Sequence, residues 1–345
     1  MRVYEADRRE WAAWDRFNSE CECGNVFQTS DFAKALETGG MNVSLIMARN
    51  AAGKITGGSF YYVPFKSGIK KMMNKFLVMS GPVLKNIEDK ETLGVLLDKI
   101  TEKAKRCSAF TIELRTPFVK HADIMESRGY IFNEIATSCS FISKLTDAGT
   151  AWKNLDKKTR NSIRKAEKEG VVVEDANGPE DIDAMYGLHL ARTKDIKDWI
   201  PLPQDFFHGI WKVFSGGKRA KFLIARHDGK PIAESIFLCY KDRVHYFNNA
   251  SLKAYQHLNA NGLLVWRTIE WAIKNGYKTL DLYGSPCTPD KSHPQHGLYQ
   301  FKSGFGGALK KEMQYYFKTV SGTKNFAFEK IFKPVLLPIY KKTRV

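Results

Sequence analysis

Apolar residues in the first part of the chain fall into short strand-like runs and then into helical spacing, and the same succession recurs further on. Leu45-Ile46-Met47-Ala48-Arg49, Gly53-Lys54-Ile55 and Ser59-Phe60 match Phe222-Leu223-Ile224-Ala225-Arg226, Gly229-Lys230 and Ser235-Ile236-Phe237. Each copy reads as a strand, a turn and a returning strand, and Asp228-Gly229 is a strong hairpin signal in the second. A helical pattern from about Glu88 to Cys107 leads into Phe110-Thr111-Ile112-Glu113-Leu114. Its counterpart runs from about Asn261 to Asn275, stops at Gly276 and leads into Thr279-Leu280-Asp281-Leu282. The repeat predicts two similar α/β domains, with a boundary between Thr146 and Ala151 that divides 1–148 from 149–345.

The second copy opens on a pattern that predicts one helix from Trp152 to Glu169. At 100° per residue, Trp152, Leu155, Thr159, Ile163 and Ala166 share one side, and Lys157, Arg160, Arg164 and Lys168 the other. Gly170 supplies a stop before the strand-like Val171-Val172-Val173-Glu174. Lys153 to Gly170 holds seven bases and three acids, so the helix has a docked side and a cationic side. That cationic side is either a solvated face or, through the guanidinium forks of Arg160 and Arg164, a grip for phosphate oxygens.

Composition narrows the choice of partners. Of 345 residues, 54 are Lys or Arg and 37 Asp or Glu, a formal charge of +17 that favours anionic partners: nucleic acid, a membrane surface or a phosphorylated substrate. Hydrophobic residues make up 43% and aromatics 12%, which excludes disorder for the whole chain. Met1 to Phe17 has no apolar stretch of signal-peptide length, and no run approaches the roughly 18 apolar residues needed to span a bilayer. Cys21, Cys23, Cys107, Cys139, Cys239 and Cys287 are scattered, without a disulfide framework or paired zinc motif. The expectation is a reduced, cytoplasmic protein, with peripheral association at the inner membrane face left open. From Lys302 to Val345 ten bases and two acids are interleaved with Tyr315, Tyr316, Phe317, Phe326, Phe328 and Phe332. The final Phe332 to Lys342 stretch is apolar and flanked by lysine, which suits an anionic membrane surface, although Pro334 and Pro338 argue against one continuous helix there.

There is no Gly-x-Ser-x-Gly elbow and no Walker-type loop. Cys287, Asp290, His293 and His296 share one loop, but their spacing matches no zinc pattern and three prolines favour an ordinary ordered loop, so no metal is expected. Cys21 and Cys23 read as two reduced thiols. Gly297-Leu298-Tyr299-Gln300-Phe301-Lys302-Ser303-Gly304-Phe305-Gly306-Gly307 is a better candidate, one lysine among aromatics and four glycines. It predicts close backbone approach and a cation held against apolar walls.

Four segments carry a resemblance. Trp152-x-x-Leu155-x-x-x-Thr159-Arg160-Asn161-x-x-Arg164-Lys165-Ala166-x-x-x-Gly170-Val171 resembles the helix that opens the second domain of the FemABX aminoacyltransferases. Gly297-Leu298-Tyr299-x-Phe301-Lys302-x-x-Phe305-Gly306-Gly307 resembles that family's closing motif, and Arg226-x-Asp228-Gly229-x-Pro231-Ile232-Ala233 and Phe27-Gln28-Thr29-Ser30-x-Phe32 are similar too. The resemblance implies two tandem GNAT-like domains, each a mixed, mostly antiparallel sheet flanked by helices. It also implies transfer of an amino acid from aminoacyl-tRNA to an amine of a phosphorylated or lipid-linked peptidoglycan-type precursor, without a cofactor.

On that reading Lys302 stabilises the oxyanion of acyl transfer and Phe301 shapes the site. Glu234, in an otherwise apolar strand, and Asp281, at a strand end, are the candidate carboxylates for deprotonating the amine, each with a structural ion pair as the alternative. Arg160, Arg164, Lys157 and Lys34 would bind tRNA or pyrophosphate, and Tyr246, Tyr283 and Tyr299 complete the expected substrate-binding set. The chain lacks the inserted helical hairpin of some members, which leaves open an acyl-CoA-dependent N-acyltransferase using acetyl-CoA or another acyl-CoA. Against that, the place where CoA pyrophosphate would meet a glycine-rich turn reads Gln256 to Gly262 with one late glycine. A non-catalytic nucleic-acid-binding protein is the third reading.

Overall fold

The computed structural model describes residues 1–64, 74–118, 120–133, 139–194, 196 and 201–336. The chain forms two compact units, Met1–Ala136 with Glu312–Lys342, and Thr137–Lys311. In the first, the strands lie in the order Arg2–Glu5, Asn42–Arg49, Ile55–Val63, Lys75–Val78, Thr111–Thr116, Gln314–Thr319 and Ile131–Phe132, with Val83–Leu84 beside Ile55–Val63. Lys75–Val78 and Thr111–Thr116 run parallel; the other described pairs are antiparallel. Helix Lys90–Arg106 covers the sheet with Leu93, Leu96, Leu97, Ile100 and Ala104, a helical stripe that is wholly buried. Asp89 caps its start by accepting from the Thr92 N–H.

The second unit repeats this plan. Its strands lie in the order Ala308–Lys310, Cys139–Lys144, Thr279–Ser285, Arg243–Ser251, Lys230–Tyr240, Ala220–His227 and Val172–Asp175. Here Arg243–Ser251 and Thr279–Ser285 are the parallel pair, and helix Ala260–Lys274 packs Leu263, Leu264, Ile269 and Ala272 into the core. The hairpins match in detail: each is bulged at its Ala-Arg pair, Ala48/Arg49 in one and Ala225/Arg226 in the other. Asp228 and Gly229 both have left-handed backbones (φ 49° and 73°), the geometry of the two-residue turn their sequence signals. The mixed, mostly antiparallel sheets flanked by helices are as expected.

The division differs from 1–148 and 149–345 because each sheet takes a strand from across that line. Cys139–Lys144 pairs with Thr279–Ser285 and buries Phe141 in the second core, whereas Gln314–Thr319 pairs with Thr111–Thr116 and buries Tyr316 in the first. The expected helix from Trp152 to Glu169 is two, Ala148–Asn154 and Lys157–Lys168. Between them Leu155 turns extended and drops into the core, and the Asp156 carboxylate accepts from the Thr159 N–H, restarting the helix.

The expectation of reduced cysteines is overturned: Cys139 and Cys287, 148 residues apart in sequence, are disulfide-bonded. Scattered spacing hid the pair because only sheet order brings the start of Cys139–Lys144 beside the loop that follows Thr279–Ser285. Cys21, Cys23, Cys107 and Cys239 are not disulfide-bonded. Pro334 lies inside a helical segment, Phe328–Leu336, that continues the helix Gly322–Ala327. Pro338 and the last residues of the tail lie outside the described residues. Among the described residues no helix is long and apolar enough to cross a membrane.

Candidate active site

Lys302 is the buried residue of the short helix His296–Ser303. Its neighbours in the ladder explain how a buried ammonium is held. Pairing between Cys139–Lys144 and Thr279–Ser285 slips between Leu282 and Ser285, where Gly284 takes a left-handed backbone (φ 75°). The slip frees the Tyr283 and Gly284 carbonyls, and Lys302 Nζ donates to both, the latter at 2.8 Å. The same Nζ lies 5.6 Å from the centre of the Tyr246 ring. Burial pulls the Lys302 pKa down to about 8, partly opposed by the Asp281 carboxylate. At neutral pH it is mostly an ammonium, and of its three N–H donors two are directed to main-chain carbonyls.

Asp281 sits directly opposite His245 in the parallel ladder, which extends only from Arg243/Thr279 to His245/Asp281. Its Oδ2 lies 3.2 Å from His245 Nδ1 and 3.6 Å from Arg243 Nη1. Beyond that point the strands separate and the Arg243–Ser251 strand bulges opposite Ile236/Phe237, placing Tyr246 and Asn248 at the opening. Glu234, in the middle of the Lys230–Tyr240 strand, is fully buried and accepts from Asn248 Nδ2 at 2.7 Å through Oε1. Its Oε2 has no hydrogen-bond partner among the described residues, and burial drives its pKa well above the usual carboxylate range. Burial, with the Glu234 charge added, raises the Tyr246 phenol as well.

A cavity of about 470 Å³ lies on another side of the Lys302 helix, with Phe301 in its lining and Lys302 not. Helix Ala260–Lys274 starts in its wall after Asn259, whose backbone is left-handed (φ 57°) and whose side chain supplies no cap. Lys158 lines it from the helix Lys157–Lys168, and a second hollow beside it holds Lys157, Lys158, Asn161 and Lys165. A long helix's N-terminus with a lysine nearby suits an anion.

The structure therefore groups Lys302, Asp281, Tyr246 and the Tyr283 carbonyl, with Glu234 joined to them through Tyr246. Tyr299 packs its ring on Phe141, 5.1 Å between centres, and stacks with His296. Lys34 belongs to the first unit, where it pairs with Asp31 at 3.0 Å. Arg160 and Arg164 hold the helix junction. Arg160 Nη1 donates to the Lys153 and Leu155 carbonyls, and the Arg164 guanidinium lies 5.3 Å from the centre of the Trp152 ring. The cations of this helix that line the hollows are lysines, and of these Lys158 and Lys165 were passed over by sequence reasoning.

The closing glycines serve the fold. A Cβ on Gly304 would lie 2.1 Å from Thr159 Oγ1, and one on Gly306 2.3 Å from the Asn154 carbonyl oxygen, so the motif ends by pressing against the helix junction. Among the described residues no group of three or more His, Cys, Asp or Glu is placed to hold a metal ion, and Cys287 is in the disulfide.

Two family models match, one on each side of the helix junction. The FemAB family matches residues 10–155 and the GNAT-type acetyltransferase domain residues 153–303. A FemAB-family match is thus followed by a GNAT-domain match, on a tandem GNAT-like fold. Among solved structures the fold is shared with FemX (TM-score 0.69, 14% identity, 96% of this chain and 100% of that one). It is also shared with a tandem GNAT protein of the clavulanic acid biosynthesis pathway (0.61, 10%, 93% and 98%). L-PGS from Bacillus licheniformis has the fold too (0.54, 13%, 99% and 97%). No curated protein matches the sequence significantly.

Proposed function

We propose that this acyltransferase moves an aminoacyl group from aminoacyl-tRNA to an amine of a peptide or cell-envelope precursor. The observation that carries the reading is the Lys302 ammonium, buried yet held by two carbonyls with its remaining donor not directed to them. The amine attacks the ester carbonyl, a C–N bond forms, and the oxyanion is stabilised by a cation already fixed in a water-poor place. The intermediate collapses by breaking the ester C–O bond. The amine proton passes to an ionised carboxylate, which hands it on to the departing ribose oxygen. Asp281 is engaged by His245 and Arg243 and serves as counter-ion; Glu234, with one oxygen lacking a partner, is the base in this proposal. The charge on Lys157, Lys158 and Lys165 suits the phosphates of the donor. A phosphorylated or lipid-linked acceptor is in keeping with the presence of L-PGS among the fold neighbours.

One observation favours a second reading, an acyl-CoA donor: the 470 Å³ cavity at the start of helix Ala260–Lys274, with Lys158 in its lining. The two are separated by incubating the protein with labelled aminoacyl-tRNA and, in parallel, labelled acetyl-CoA, each with amine acceptors. The proposal expects label transfer from tRNA; transfer from acetyl-CoA alone replaces it with the second reading.

A further inference from the structure

The helix Gly322–Ala327 and the helical segment Phe328–Leu336 that continues it have two differently built faces. Phe328 and Phe332, four residues apart, turn inward: Phe328 stacks on Phe110 at 4.5 Å and Phe332 on Phe328 at 5.1 Å, and all three are buried in a small cluster of their own. On the outer face, Phe326 is 63% and Ile331 55% exposed, two of the few large apolar side chains so exposed among the described residues. Phe326, Lys330 and Pro334 are spaced four apart, as are Ala327 and Ile331, and all five are exposed, so they form one stripe with a lysine at its centre.

The surroundings are basic. Lys324 Nζ donates to the Ser108 carbonyl at 3.3 Å, just beyond the Lys105 and Arg106 that end the helix Lys90–Arg106. Lys318, on the strand leading into the segment, is held below the usual ammonium range by burial and by the nearby Lys105 and Arg128 charges, with Asp98 acting the other way. Lys333 is paired with Glu329 at 3.1 Å.

We infer that this outer stripe docks on an anionic lipid bilayer, Phe326 and Ile331 entering the headgroup region and Lys330 lying among the phosphates. A short helix lying in the interface needs an apolar face open to solvent and lysines beside it, and both are present. The inner face is already covered by Phe110, so the stripe is not required for folding. Nucleic acid fits less well, because Ile331 offers no ring for stacking. This inference is independent of the donor and acceptor of acyl transfer.

The test is flotation of the full chain with vesicles of equal parts phosphatidylglycerol and phosphatidylcholine, and with phosphatidylcholine vesicles alone. The wild type should float with the anionic vesicles and not with the neutral ones. Phe326→Ser with Ile331→Ser should weaken binding about tenfold, and Lys330→Glu about fivefold or more, with unchanged thermal unfolding because the positions are exposed. Absence of wild-type binding, equal binding to both vesicle types, or full binding by the double variant would overturn the inference. So would wild-type binding lost to a polyuridylate competitor but retained by the double variant, since that outcome describes a nucleic-acid surface.

Discussion

Burial acts on Lys302 and Glu234 in opposite senses. Desolvation lowers the lysine, to about 8, and raises the carboxyl above its ordinary range, so burial pushes each group towards its uncharged form. A carboxyl whose folded pKa lies above its unfolded value contributes stability that is complete below the unfolded value and lost as pH rises through the folded one. Glu234→Gln removes that loss. Thermal unfolding should therefore show the variant more stable than the wild type at pH 8, with the difference shrinking towards pH 4, while acyl transfer slows. A variant less stable than the wild type at pH 8 would show that Glu234 is ionised and paired in the fold. The burial of Lys302 was legible in its glycine and phenylalanine neighbours, whereas its partners were not. They are carbonyls released by a ladder slip at Gly284, and main-chain acceptors have no signature in residue identity.

At the scale of elements, the hairpins, the two long helices and the strands that follow them were readable because periodicity and turn residues agree in both copies. The break at Leu155 was not, since its apolar side chain continues the helical stripe while its backbone leaves the helix. Arg160 was read as a phosphate ligand for the same reason: in an unbroken helix the Lys153 and Leu155 carbonyls would not need it. The closing glycines were correctly read as points of close approach, but what approaches is this junction. Gly306→Ala places a Cβ 2.3 Å from the Asn154 oxygen on a left-handed backbone and should cost about 2–3 kcal/mol, lowering the melting temperature by roughly 5–10 °C. Gly297→Ala, where a Cβ meets nothing within 4 Å, should be neutral or stabilising by up to about 1 kcal/mol. Equal melting temperatures for the two variants would remove the junction from the account.

Across the whole molecule, the repeat announced two units and the structure has two, but the first is assembled from two separate stretches of chain. A strand placed by long-range pairing carries no local mark of its sheet, so Gln314–Thr319 and Cys139–Lys144 were assigned to the wrong side, and the Cys139–Cys287 bond went unseen with them. That bond ties the start of a core strand to the loop that leads to the Lys302 helix. Part of the 54 Lys and Arg side chains is engaged in ion pairs and at the helix junction, and what lines the hollows is a lysine row from Lys157 to Lys165. The central claim is that a fixed cation at Lys302 drives acyl transfer. Its most direct test is the single-turnover rate of labelled aminoacyl transfer by Lys302→Met beside the wild type, with thermal unfolding followed in parallel. The account predicts a loss of about 10²–10³-fold with folding retained, and a wild-type rate that falls as pH rises through about 8. A folded Lys302→Met protein that turns over at the wild-type rate would contradict it.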